Sequence, residues 1–174
     1  MEHPQLEQFI YEHGEELLRL AYTYVKKHDV AEDIVQDVLL KAFEQREQFL
    51  GQSSYRTYLY RMTINRCYDY FRSWSYRNTI VTEQITKFMK KPDLIQPNIE
   101  EESYLGHCLL SLPLKYREVL ILYYYKDLSQ DAIADLLSIS VNTVKTRMVR
   151  GREKLKKLLK EEELLGEIRF EEKY

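Results

Sequence analysis

The sequence predicts an all-α protein built as two small helical domains joined by a flexible linker. Three observations lead there. The 174 residues include only five glycines and four prolines, and strand-type alternation is nearly absent. Apolar residues recur instead at helical spacing over most of the chain. That periodicity fades between residues 78 and 103, where Pro92 and Pro97 sit in the polar run Lys-Lys-Pro-Asp-Leu-Ile-Gln-Pro-Asn, and then resumes. The expected division is a first domain over 1–77, a linker over 78–103, a second domain over 104–165 and a charged, frayed tail over 166–174.

The first helix is expected from about Gln5 to Lys27, with Ile10, Leu17, Ala21 and Tyr24 on one stripe. A second begins at Asp29, where Glu32 three residues on gives a capping-box-like start. It runs to about Gln48 and buries Ile34, Val35, Val38, Leu39, Ala42 and Phe43. Gly51 to Ser54 reads as a loop, and a third helix follows from about Tyr55 to Ser73. After the linker, helical signal returns near Glu102 and again at Pro113, a good first-turn residue.

A helix-turn-helix pattern comes next. Ser129 is the expected N-cap of a short helix, with Asp131 in its first turn. Ile133, Ala134 and Leu137 form the buried stripe, Ile139 plugs the turn and Ser140 caps a longer helix. At roughly 100° per residue, Val144, Met148, Leu155 and Leu158 fall on one side and should pack on the short helix. Asn142, Lys145, Thr146, Val149 and Arg150 fall on the other. Amide, hydroxyl, methyl and cationic groups together suit a DNA major groove. From Val141 to Lys160 there are eight Lys/Arg against one acid, Glu153, which supplies phosphate attraction without sequence information.

Composition narrows the function classes. Hydrophobic residues make up 44% of the chain, enough for a core, and the net charge is only −2. The charge is segregated instead: residues 1–47 carry eleven acids against five Lys/Arg, and residues 48–82 carry five arginines against Asp69 alone. Such a layout fits two kinds of partner. No apolar run is long enough to span a membrane and no secretory signal is visible, so a cytoplasmic protein is expected. Cys67 and Cys108 lie far apart, and His3, His13, His28 and His107 have no ligand spacing. Neither a metal site, a cofactor nor an enzyme active site is expected.

Residues 48–82 also hold nine aromatics: Phe49, Tyr55, Tyr58, Tyr60, Tyr68, Tyr70, Phe71, Trp74 and Tyr76. Interleaved with arginine, they suggest stacking on single-stranded nucleic acid. Taken singly, Tyr58, Met62 and Phe71 read better as core. Asn65, Asp69 and Arg72 form a polar ladder on one helix face, expected to be a reading edge. On the second helix, Asp33, Gln36, Asp37, Leu40 and Glu44 face outward. An apolar Leu40 within an acidic stripe is consistent with a protein-docking surface.

These segments, in this order, resemble the extracytoplasmic-function (ECF) sigma factors of bacterial RNA polymerase, over nearly the whole chain. Ala31-Glu-Asp-Ile-Val-Gln-Asp-Val-Leu-Leu-Lys-Ala resembles the polymerase-binding helix of region 2. Tyr58-Leu-Tyr-Arg-Met-Thr-Ile-Asn-Arg-Cys-Tyr-Asp-Tyr-Phe-Arg resembles the promoter-melting and minus-ten helix. Leu112-Pro-Leu-Lys-Tyr-Arg-Glu-Val-Leu-Ile-Leu-Tyr-Tyr, with Thr143-Val-Lys-Thr-Arg-Met-Val-Arg-Gly-Arg, resembles the minus-thirty-five domain, region 4. The resemblance implies that Asp33, Gln36, Asp37 and Leu40 dock on core RNA polymerase. It implies that Tyr55, Arg56, Tyr58, Arg61, Asn65, Asp69 and Arg72 serve minus-ten recognition and melting, with the loop from Phe49 to Thr57 holding a flipped base. It assigns Asn142, Thr143, Lys145, Thr146, Arg147, Val149 and Arg150 to the minus-thirty-five element, with Lys115 and Arg117 near its phosphates. A dedicated anti-sigma factor, often membrane-anchored in this family, is a further implied partner. The sequence departs from the family pattern at Leu39 (an aromatic in the family), Tyr58 (tryptophan), Ser138 (glycine) and Asn142 (glycine). The Ser138 turn is therefore expected to be slightly strained, and Asn142 is expected to add a base contact.

A rival reading is a stand-alone regulator whose helix-turn-helix binds a duplex operator as a dimer. It accounts for the basic helix but gives the aromatic-arginine block no task.

Overall fold

A computed structural model of the chain describes residues 4–45, 54–73 and 104–171, with side chains over 8–45, 54–73 and 104–160. Most of the Gly51–Ser54 loop, the 78–103 linker, Phe49, Trp74 and Tyr76 lie outside the described residues. Among those described there are seven helices and no strand. The chain divides into two compact units, Met1–Gln96 and Pro97–Tyr174.

The first unit is a three-helix cluster of α1 (Pro4–Val25), α2 (His28–Glu44) and α3 (Tyr55–Arg72), in which each helix packs on the other two. Leu17, Leu20, Ala21 and Tyr24 of α1 meet Ile34, Val35, Val38 and Leu39 of α2 and Leu59, Tyr60, Ile64 and Cys67 of α3 in a shared core. Ile10, expected on the buried stripe, is instead 43% exposed. Only two residues join α1 to α2, and Lys26 takes a left-handed φ of 56° to make the corner. The expected Asp29–Glu32 capping box does not form. Helix α2 starts one residue early, at His28, with Lys27 as an N-cap whose side chain makes no capping hydrogen bond. Asp29 is thereby moved into the first turn, where its charge faces the positive helix end. Glu32 meets His28 instead, Nδ1 to Oε1 at 3.2 Å. Helix α3 is capped by Ser54, whose Oγ accepts from the Thr57 N–H at 3.1 Å, a contribution of about 1 kcal/mol.

The second unit comprises α4 (Tyr104–Ser111), α5 (Leu114–Tyr124), α6 (Gln130–Leu137) and α7 (Val141–Glu171). Helix α5 is the centre, buried continuously from Tyr116 to Leu122. Val144 and Met148 of α7 are buried, as the sequence predicts. Gln130 of α6 reaches Met148, Nε2 to Sδ at 3.7 Å. Leu155 and Leu158 do not pack on the short helix as expected. They cover a cluster of Leu109, Leu112, Leu120 and Ile121 from α4, the α4–α5 turn and α5. Helix length explains the difference. Eight residues of α6 span about 12 Å, whereas Val144 to Leu158 spans about 21 Å. Leu136, rather than Leu137, is the buried leucine of α6.

Gly151 faces α5 at close range. A Cβ there would stand 3.1 Å from Leu120 Cδ1 and 3.3 Å from Tyr116 Cβ, so the absence of a side chain sets how closely α7 approaches. The other α7 glycine, Gly166, does not begin a frayed tail: the helix continues to Glu171. A single interior glycine costs about 1 kcal/mol, too little to stop a helix already propagating.

Candidate nucleic-acid interface

The helix-turn-helix forms as the capping residues dictate. Ser129 Oγ accepts from the Ala132 N–H and Ser140 Oγ from the Thr143 N–H, each at 3.1 Å. Ser138 between the helices is left-handed, φ 54° and ψ 45°, the strained position expected where a glycine is usual. These devices aim α7 so that Asn142, Lys145, Thr146, Val149 and Arg150 are all exposed. Thr143 is half-buried and its hydroxyl lies 2.8 Å from Ser140 Oγ. Thr146 donates to the Asn142 carbonyl at 2.9 Å, leaving its methyl and oxygen lone pairs outward. Arg150 has no ion pair among the described residues. It lines a concave surface with Lys115, Tyr116, Asn142, Thr143, Thr146 and Arg147.

Two arginines expected to meet DNA make bonds within the fold: Arg117 is buried, whereas Arg147, 26% exposed, still lines that surface. Arg117 is 3% exposed and Nη1 donates to the carbonyls of Leu110 and Leu112, both at 2.8 Å. It closes the α4–α5 corner by satisfying carbonyls left open at the end of α4, so it does not sit at a phosphate. Arg147 turns inward to Glu118, Nη1 to Oε1 at 2.9 Å. Lys115 remains exposed, its ammonium over the Tyr116 ring at 5.1 Å.

In the first unit, the α3 aromatics behave mainly as packing. Tyr60 is buried, and Tyr55, Tyr58, Tyr68, Tyr70 and Phe71 are half-buried. Tyr55 meets Phe9 edge-on at 5.9 Å and Tyr58 at 5.7 Å, and its hydroxyl donates to the Ala42 carbonyl at 3.2 Å. Tyr68 meets Tyr24 at 6.0 Å. Edge-to-face pairs reach α1 from Tyr55 and Tyr68, but only Tyr60 of the six is fully buried and the other five remain half-buried. Tyr60 is fully buried and donates to Glu16, which also holds Arg56. Burial first, and then the Glu16 carboxylate, push the Tyr60 phenol above its ordinary pKa. The Glu16 hydrogen bond raises Arg56. Cys67 is pushed up to about 12 by burial, partly offset by Arg66.

The outer edge of α3 stays polar. Arg61, Asn65, Asp69 and Arg72 are exposed, and Arg72 donates to Asp69 at 2.7 Å. On α2, Asp33, Gln36, Asp37, Leu40 and Glu44 are all exposed, with Leu40 at 51%. A cleft between α2 and α3 brings Asp37, Leu40 and Glu44 together with Asn65, Arg66 and Asp69. The expected docking face and the expected reading edge therefore border one another. Sequence reading missed Arg66, Glu16, Glu118 and Gly151. Each acts across helices distant in the chain, and no local spacing marks such a pair.

Among the described residues, no cluster of His, Cys, Asp and Glu could hold a metal ion, and no helix is long and apolar enough to cross a membrane.

Comparison with known proteins follows the same two units. Residues 9–76 match the family Sigma-70 region 2, and residues 103–155 match Sigma-70, region 4. The chain is similar to RNA polymerase sigma factor SigV of Bacillus subtilis (strain 168), at 28% identity over 89% of this chain and 91% of that protein. It is similar to the ECF RNA polymerase sigma factor SigW of the same organism, at 32% identity over 84% of each. Among solved structures it resembles the sigma factor RpoE from Bartonella quintana, captured with the anti-sigma factor NepR. The TM-score is 0.67 at 25% identity, covering 90% of this chain and 97% of that one. Both regions occur in order on this chain, and the chain belongs to the ECF RNA polymerase sigma factors.

Proposed function

We propose that this sigma factor binds core RNA polymerase through the acidic face of α2, at Asp33, Gln36, Asp37 and Leu40. The exposed edge of α3, above all Arg61, Asn65 and Asp69, meets the separated minus-ten strand, with Tyr58 beside it. The outward face of α7 reads the minus-thirty-five element: Asn142, Lys145, Thr146, Val149 and Arg150 meet base edges and phosphates, and Lys115 adds charge at the rim. The observation that carries this reading is that α7 edge, exposed behind two serine caps, with Arg150 uncommitted to any acid. A guanidinium that is neither buried nor paired is available for bidentate contact with guanine.

The phosphodiester chemistry belongs to the polymerase. The chain contributes recognition and strand separation and requires no cofactor. An anti-sigma factor that covers these faces is the proposed regulator, in keeping with the capture of RpoE with NepR, and a membrane-anchored one would hold this otherwise cytoplasmic chain at the membrane.

In vitro transcription from a genomic fragment library tests the reading, with core polymerase alone and with this chain added. New starts sharing two upstream elements are the expected result. No new starts, together with tight binding of a two-fold duplex operator without polymerase, would instead establish a dimeric regulator.

A further inference from the structure

Arg117 and Glu118 are adjacent on α5, both buried, and each is committed to a different neighbour. Arg117 ties α5 back to the end of α4. Glu118, with its side chain 1% exposed, takes Arg147 of α7 at 2.9 Å. A carboxylate this deep is costly without a cation, so Arg147 is held strongly inward. Arg147 lies between the buried residues Val144 and Met148 and the exposed edge at Thr146 and Arg150. Apolar packing of Val144 and Met148 is non-directional and permits small rotations of α7 about its axis. A charge-assisted hydrogen bond is directional and does not.

We infer that Arg147 is a positioning residue: held by Glu118, it fixes the rotation of the recognition helix and so decides which bases the outer edge reads. It makes no DNA contact of its own. This rests on the reading of the α7 edge as the DNA-reading surface.

The test uses the full chain with core polymerase on promoters whose upstream element is randomised and whose downstream element is constant. Glu118→Gln, Arg147→Gln and the double variant are compared with Arg150→Ala. Both single variants should flatten preference at several upstream positions together, by about tenfold between best and scrambled elements. The double variant should be no worse than either single one, because the two side chains act as a unit. The salt dependence of promoter binding should not change.

If Arg147→Gln alone affects a single base position, or lowers the salt slope by about one phosphate contact, Arg147 touches DNA and the inference is overturned. If Arg150→Ala alters upstream preference while Arg147→Gln does not, positioning is overturned and the reading edge stands. If neither alters it, the reading edge itself is misassigned. Should a single variant fail to fold, the double variant, which leaves no unpaired charge buried, decides the matter by its positional pattern and salt slope.

Discussion

Arg66 of α3 donates twice to Oδ2 of Asp37 on α2, from Nη2 at 2.7 Å and from Nε at 3.2 Å. The pair joins the proposed docking face to the proposed reading edge across the α2–α3 cleft. Both side chains are about half exposed, so the pair contributes roughly 0–1 kcal/mol to stability. Charge reversal at Asp33→Lys with Asp37→Lys should weaken capture of core polymerase by at least about tenfold, as expected for like charges placed in an interface. Arg66→Ala should leave the unfolding midpoint nearly unchanged and retain capture. Fluorescence binding to core polymerase separates them, and equal loss in the two would mean that the acidic face is not the docking surface.

Arg150→Ala should do the opposite. Removing the uncommitted guanidinium should cost roughly 1–3 kcal/mol of minus-thirty-five discrimination and leave polymerase affinity untouched. Competition between matched and mismatched upstream elements, read by the reconstituted polymerase, measures it. An equal loss on every sequence, with a shallower salt dependence, would reassign Arg150 to a phosphate.

Alkaline pH should destabilise the first unit through two buried acids of α3. Cys67 is raised by burial from 9.0 to about 12, and Tyr60 is raised by burial and by Glu16. Each holds its proton longer in the folded chain than in the unfolded one. Their contribution is therefore complete below pH 9.0 and is lost as pH rises from there toward about 12. Urea midpoints measured on both sides of pH 9.0 should fall with rising pH, and Cys67→Ala with Tyr60→Phe should flatten that profile. An unchanged profile in the double variant would remove both groups from the account.

Local chemistry made much of this legible in advance. Serine caps at 129 and 140, the left-handed Ser138 and the two-sided division of α7 follow from spacing within a few residues. The outward set on α2 was equally readable, because a 3.6-residue period assigns faces directly. What failed depended on distant partners. Arg117 and Arg147 look like surface cations in the sequence, and only the folded unit brings the Leu110 and Leu112 carbonyls and Glu118 to them. The partners that α1 gives the α3 tyrosines, Phe9, Tyr24 and Glu16, were likewise out of reach of local spacing.

Ser138→Gly should stabilise the second unit. Its φ of 54° and ψ of 45° place an L-residue where the Cβ crowds the backbone, at a cost of roughly 1–2 kcal/mol. Glycine removes that cost but loses more entropy on folding, so a net gain of about 0.5–1 kcal/mol is expected. Ser138→Val should lose stability, since a branched side chain is poorly tolerated there. Thermal midpoints in the order glycine, serine, valine support strain at this turn, and a lower midpoint for glycine argues against it.

Gly151 offers a separate handle on the recognition helix, because it limits distance where the Glu118–Arg147 pair limits rotation. An alanine Cβ would meet Leu120 Cδ1 at 3.1 Å and Tyr116 Cβ at 3.3 Å. The first is the end of a side chain that can turn, whereas the second is fixed to the α5 backbone. Better helix propensity gives alanine up to about 1 kcal/mol, which the crowding should cancel, leaving Gly151→Ala near neutral or slightly destabilised. Gly151→Leu has no room and should cost about 1–3 kcal/mol through overpacking. Because the displaced element is α7, Gly151→Leu should also weaken minus-thirty-five binding while polymerase capture through α2 persists. A Gly151→Leu variant as stable as the parent chain, with normal upstream recognition, would mean that α5 and α7 are not held at this distance.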